Sequence, residues 1–364
     1  MATQPTQPVP EQPPLNEEKL NEFMMKAVGD MGAAMNASLI AIGEQLGLYK
    51  AMGSGERMSS AELAVRTKTA ERYVREWLNA QAAGGYVNYD AAAGKYWLSP
   101  EQAFALAKDD SPAYIPGFFL AAVSVAHDVE RLMQGFQTGE GVGWHEHHHW
   151  LFEGTEKFFR PGYNANLISS WIPSLEGMEE KLKKGAKVAD VGCGHGASTI
   201  IMARAYPNSS FTGFDYHSGS IERARTLAEQ ASLGNRVVFE VASAKAYPGS
   251  DYDLVTFFDC LHDMGDPVGA ARHVFRSLKP GGIWMIVEPR AEDTVEGNLH
   301  PIGRIFYAAS TMICTPASLS QEVGLALGAQ AGEKRIGEVV KSGGFHHFRR
   351  AAETPFNLVF EAKR

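Results

Sequence analysis

The chain has 364 residues, 45% apolar and 21% charged, with a formal net charge of −8 and a pI near 5.9. That length admits two domains, or one large domain with an extension, and the acidic balance argues against a general polyanion binder while leaving room for a local basic patch. No run of about 18 apolar residues is present to span a bilayer, and Cys193, Cys260 and Cys314 form no CxxC pair, so a reduced, cytoplasmic protein without a disulfide framework is expected.

The start, MATQPTQPVPEQPP, has neither the basic region nor the apolar core of a signal peptide. Residues 1–15 read as a disordered Pro/Gln tail. Two helices are predicted next, over 16–31 and 33–50. In the second, Met35, Leu39, Ile42, Leu46 and Tyr49 recur at helical spacing as an apolar stripe, from which a homodimer through the N-terminal helices is expected. The stretch from Met58 to Val87 reads as helix, turn, helix, with Ser59 or Ser60 capping the first and Thr69 the second. Gly84 and Gly85 end it, and YVNYDAAAGKYWLS reads as a β-hairpin with Asp90 to Gly94 at its tip. Residues 16–110 therefore form a winged helix.

A winged helix invites a DNA-binding reading. From Glu56 to Glu76, however, five basic residues (Arg57, Arg66, Lys68, Arg72, Arg75) face four acidic ones (Glu56, Glu62, Glu71, Glu76), a poor balance for neutralising phosphates. The would-be recognition helix commits Val74, Trp77, Leu78 and Ala82 to packing. A packing or dimerisation role is expected, and nucleic acid is not the expected partner.

Residues 111–180 read as a helical, aromatic connecting region containing GWHEHHHWLFEG, 143–154. Within it, 145–149 satisfy H-E-x-x-H, which on a helix would place two zinc ligands and a base on one face. The alternatives are surface histidines, or His145, His148 and His149 lining a substrate pocket; no metal is expected. Beyond 181 the runs KVADVG, FTGFDY, VVFEVA, DLVTFFD and IWMIVEP alternate with helical stretches, the mark of a parallel α/β sheet. FHHFRRAAETPFNLVFEAKR adds two strands joined by a tight connection.

In VADVGCGHGAST an apolar strand ends in glycines and opens a helix, letting a ligand lie against the backbone. Asp190 precedes the glycines, and Asp215 ends the next strand 25 residues later, where an acid accepts the hydroxyls of a ribose. No Lys-Ser or Lys-Thr pair follows the glycines to bind polyphosphate. A nucleoside with a cationic end fits better.

VADVGCGHG, GFDY, DLVTFFDCLHDMGDP and LKPGGIWMIVEP, in that order, resemble the sequential motifs of class I S-adenosylmethionine-dependent methyltransferases over roughly 155–364. The resemblance implies a Rossmann-like, seven-stranded α/β domain over 181–364, behind the mostly helical winged-helix domain. It implies S-adenosyl-L-methionine as cofactor, with Gly192, Gly194 and Gly196 against its methionine part and Asp215 on the ribose. Asp190 would help hold the ammonium end, Ser243 and Ala244 stand where the family often has an adenine-binding acid, and Tyr163, Tyr216 and Asp259 are further cofactor candidates. The chain also resembles winged-helix small-molecule O-methyltransferases and bacterial winged-helix methyltransferases. In the former a segment like Leu261-His262-Asp263-Met264 supplies a base, since a hydroxyl is a poor nucleophile until its proton leaves. His262 could instead cap a helix or merely adjoin the cofactor. Glu288 is placed to orient His262 or a substrate, and Arg304, Tyr307 and Met312 follow the fifth strand, where this fold builds its substrate wall. The expected function is methyl transfer to a small molecule, most simply at oxygen; the alternative is a winged-helix regulator using the fold as a ligand sensor.

Overall fold

The computed structural model describes residues 14–364. All but the last two residues of the tail read over 1–15 lie outside the described residues. Helix α1, Glu17–Gln45, starts where the Asn16 side chain accepts from the Lys19 amide at 3.0 Å. The helix break expected near residue 32 does not occur. An isolated glycine costs a helix only about 1 kcal/mol, which 29 residues of continuous hydrogen bonding absorb. The turn falls instead at Gly47, whose φ of 67° suits glycine, before α2, Leu48–Met52.

Ser59 caps α3, Ser60–Thr67, and Glu62 answers with a bond to the Ser59 amide, a complete capping box. Helix α4, Glu71–Ala83, has Ala70 at its N-cap and no side-chain cap. Thr69, expected to cap it, meets the Thr67 hydroxyl at 2.8 Å. Strands β1, Asn88–Asp90, and β2, Lys95–Trp97, pair as the expected antiparallel hairpin. Tyr49, Trp77, Leu78, Leu63 and Leu98 are buried in one small core, giving the winged helix its own apolar centre.

Helices α5, Pro100–Leu106, α6, Pro116–Ala126, α7, Val129–Thr138, α8, Trp150–Asn166, and α9, Met178–Lys184, lead to the sheet. Its strands are β3, Lys187–Val191, β4, Ser210–Asp215, β5, Val237–Val241, β6, Tyr252–Phe258, β7, Leu278–Pro289, β8, His347–Glu353, and β9, Asn357–Lys363. The helices between them are α10, Ala197–Ala205, α11, Ser218–Gln230, α12, Pro267–Ser277, α13, Pro301–Ala309, α14, Thr315–Leu319, and α15, Gly332–Ser342. The strand order is β5-β4-β3-β6-β7-β9-β8, parallel except for the closing hairpin, whose β9 runs antiparallel to β7 and β8. All seven strands expected from the sequence are present. Val188, Phe211, Leu254, Ile283 and Val359 enter the core on one sheet face; Val191, Phe257, Trp284 and Phe360 enter that on the other. The order reverses between β3 and β6, and in open α/β sheets the crevice beyond such a reversal is where ligands bind.

Candidate active site

The carboxyl ends of β3, β4 and β6 open onto a cavity of about 450 Å³. Gly192 and Gly194 supply its floor, with φ of 73° and 51°. A Cβ at Gly192 would come within 2.7 Å of the Cys260 Sγ, so both the backbone conformation and the close approach require glycine there. Gly196, expected to share the floor, is absent from the cavity lining; a Cβ on it would meet the Phe239 ring at 2.6 Å and Ala224 at 3.1 Å. It lets helix pack on sheet.

Asp215, at the end of β4, is tied down by its own turns: the Gly194 and His217 amides each donate to it at 2.9 Å. Burial raises its pKa, opposed by those backbone bonds. Tyr216, Ser243, Ala244 and Tyr163 line the same cavity, as does Asp259, which accepts from the Tyr163 hydroxyl at 3.0 Å and the Asn357 amide at 2.8 Å. Asp190 turns away from it. Its two oxygens take the hydroxyls of Ser198 (2.7 Å), Thr199 (2.5 Å) and Thr256 (3.0 Å) below the loop, so it braces the glycine turn from beneath.

Several lining residues carry no motif. Trp144 and Phe152 cover one side, Phe152 stacks on His217 at 4.6 Å between centroids, and the Trp144 indole donates to Asp263 at 2.8 Å. Glu156 and His195 face each other across the wall at 3.1 Å. The aromatic density of residues 144–152 was the only sequence signal for this cover.

The four histidines of the stretch stay outside the cavity lining. Residues 144–146 form a single tight turn, so H-E-x-x-H never lies along a helix, and no cluster able to hold a metal exists among the described residues. His145 and His149 are exposed, and His148 stacks on His127 at 4.7 Å. His148 has a lowered pKa, from desolvation first and then from His149 and His127 beside it. His147, the one histidine of the stretch that is buried, meets the Asp128 carboxylate at 2.7 Å and anchors the segment.

His262 follows β6 in a short turn and is buried with Glu288, at the end of β7. Their contact, Nδ1 to Oε2, is 2.6 Å, and the other Glu288 oxygen accepts from the Leu261 amide at 3.0 Å. Nε2 lies 3.3 Å from the Cys314 Sγ, in the π-helical turn Ser310–Cys314. Neither His262 nor Glu288 lines the cavity, although Asp259, Cys260, Asp263 and Met264 around them do. Tyr307 and Met312 sit half-buried on the segment that covers His262, while Arg304 points outward and pairs with Asp30 of α1 at 3.0 Å.

A methyltransferase-domain family matches residues 182–344, and an Rv2258c-like winged helix-turn-helix domain matches residues 34–108. The 27-O-demethylrifamycin SV methyltransferase of Amycolatopsis mediterranei is 38% identical over 103 residues, 28% of this chain and 38% of that protein. The chain thus matches well under two thirds of that relative's length. Human N-acetylserotonin methyltransferase, solved with S-adenosylmethionine, superposes with a TM-score of 0.71 at 16% identity, over 96% of this chain and 97% of that one. An O-methyltransferase family protein of Burkholderia thailandensis superposes with a TM-score of 0.68 at 16% identity, over 94% and 98%. At that identity the structural likeness establishes the fold.

Proposed function

We propose that the chain, whose methyltransferase domain follows an Rv2258c-like winged helix, takes S-adenosylmethionine as its cofactor and methylates a hydroxyl of a small molecule. The cavity suits that cofactor better than a nucleotide with phosphates. Among the described residues, the one lysine or arginine of its lining, Lys245, is already engaged with Asp266 and Glu322, while Asp215, Asp259 and Asp263 meet only neutral donors. When bound, S-adenosylmethionine supplies an electrophilic methyl group on a sulfonium. Asp215 holds the ribose, the Gly192–Gly194 backbone the methionine part, and Tyr216, Ser243 and Ala244 the adenine. Oxygen as acceptor is supported by the O-methyltransferases among the relatives and structural neighbours.

The observation that carries the mechanism is the buried His262–Glu288 pair beside the residues that line the cavity. With Nδ1–H donating to Glu288, the unprotonated ring leaves Nε2 as an acceptor, facing the Cys314 Sγ. The acceptor hydroxyl takes that place in turn, once the 310–314 turn yields, and gives its proton to Nε2 as the methyl group transfers. Burial works against the imidazolium, but Glu288 and then Cys314 hold the His262 pKa well above the ordinary histidine value. The base form therefore grows as pH rises, and kcat/KM rises with it. His262→Ala is expected to lower kcat by about 10²–10⁴, measured with labelled cofactor on a panel of phenols and alcohols, while calorimetric affinity for S-adenosylhomocysteine stays within about threefold. Glu288→Gln should lose less and move the rising limb to lower pH. Unchanged kcat in H262A would remove the base role.

α1 also exposes Phe23 (64%), Met25 (69%), Met31 (61%) and Met35 (76%). Such exposed apolar side chains around one helix fit a second copy of the chain, and a homodimer through this helix is part of the proposal.

A further inference from the structure

Asp259 and Asp263 bracket His262 in sequence, and both line the cavity. Neither has a cationic partner within ion-pair distance among the described residues. Asp259 accepts only from the Tyr163 hydroxyl and the Asn357 amide, Asp263 only from the Trp144 indole, and Asp263 is 92% buried, its relative exposure being 8%. Carboxylates removed from water are ordinarily paired with a cation, and a pair left open on a cavity wall calls for a cation from the ligand.

We infer that Asp259 and Asp263 form a charge-selective subsite that prefers the sulfonium of the cofactor to the neutral thioether of its product, and that filling it with the sulfonium expels a proton from the pair. The inference rests on the S-adenosylmethionine reading above. Cofactor and product share the same amino, carboxylate, ribose and adenine groups, so their affinity ratio isolates the one positive charge on sulfur.

The surroundings set the proton inventory. Burial lifts Asp259 to about 8, with Glu288 raising it further against the lowering influence of His262, Tyr163 and Asn357. Burial lifts Asp263 to about 6, opposed by His262 and the Trp144 indole and reinforced by Glu288 and Asp215. Near neutral pH the unliganded pair therefore carries about one proton, on Asp259. A sulfonium beside it favours the carboxylate form, and the proton leaves to solvent. A thioether gives no such drive.

The test is binding, not turnover. Calorimetric titration of S-adenosylmethionine and S-adenosylhomocysteine from pH 6 to 8.5, in buffers of different ionisation enthalpy, reads both affinity and proton release. The cofactor-to-product affinity ratio should rise by about 10-fold per pH unit between pH 6 and 8, since one titrating group changes it by at most that much. At pH 7 the cofactor should release close to one more proton than the product. Asp259→Asn should flatten the ratio and abolish the extra proton, while Asp263→Asn should remove only the part of the slope near pH 6. Wild-type protein that binds both ligands with a ratio flat within twofold overturns the subsite and leaves the cofactor reading intact. Wild-type protein that binds neither at any pH overturns the cofactor reading itself.

Discussion

On the winged helix, Arg57, Arg66, Arg72, Arg75 and Lys95 each pair with an acid, Asp90, Glu56, Glu76, Glu71 and Glu62 in turn, at 2.6–3.4 Å on the exposed surface. At the end of β6 the arrangement is inverted: Asp259 and Asp263 stand on a cavity wall with only neutral donors. Charges in water satisfy one another at little gain and leave little free field for phosphates. Carboxylates withdrawn from water without a counterion cost stability, and an enclosed cationic ligand offsets that cost. The contrast separates surface charges that are already paired from cavity carboxylates that are not.

That contrast can be broken in a few places. The largest effect is expected at Asp215. Asp215→Ala removes the proposed ribose acceptor together with the brace on the Gly194 and His217 amides. Two hydrogen bonds to a charged group, each about 1.5–3 kcal/mol, put cofactor binding at least ~100-fold weaker by calorimetry. Binding within threefold of wild type would show that this acid is not the ribose site. A smaller change is expected from Met31→Glu with Met35→Glu on α1, which should shift the mass seen by light scattering at micromolar concentration from dimer towards monomer without altering cofactor affinity. An unchanged mass would place any self-association elsewhere. The smallest change is expected on the winged helix. Arg72→Ala or Arg75→Ala breaks an exposed i,i+4 pair and should leave the denaturant unfolding midpoint nearly unchanged, with no loss of duplex DNA binding because none is expected in a gel shift. A sequence-specific shift abolished by either substitution would revive the regulator reading and undo the comparison.

Much of the cofactor side was legible because its signals are local. A strand that ends in glycines and an acid at the end of the next strand are features of short segments, and they place Gly192, Gly194, Asp215, Tyr216, Ser243 and Ala244 on one cavity. Other residues on both the cofactor and the acceptor side were less legible. Asp190 looked equally exposed to a ligand, yet three hydroxyls from α10 and β6 claim it. Arg304 looked like substrate wall, yet it reaches α1. GWHEHHHW looked like a metal or pocket motif; its contribution to the cavity is Trp144, and its buried histidine, His147, serves Asp128.

The sequence by itself determined the two domain types, the seven strands and the glycine turn, since hydrophobic period, capping residues and backbone permissiveness act over a few residues. Only the tertiary structure decided which acids remain unpaired, which histidine is buried with a carboxylate, and that Cys314 lies over His262. Those outcomes depend on contacts between segments as far apart as Trp144 and Asp263, and the free energy of a buried charge depends on what the rest of the fold brings to it.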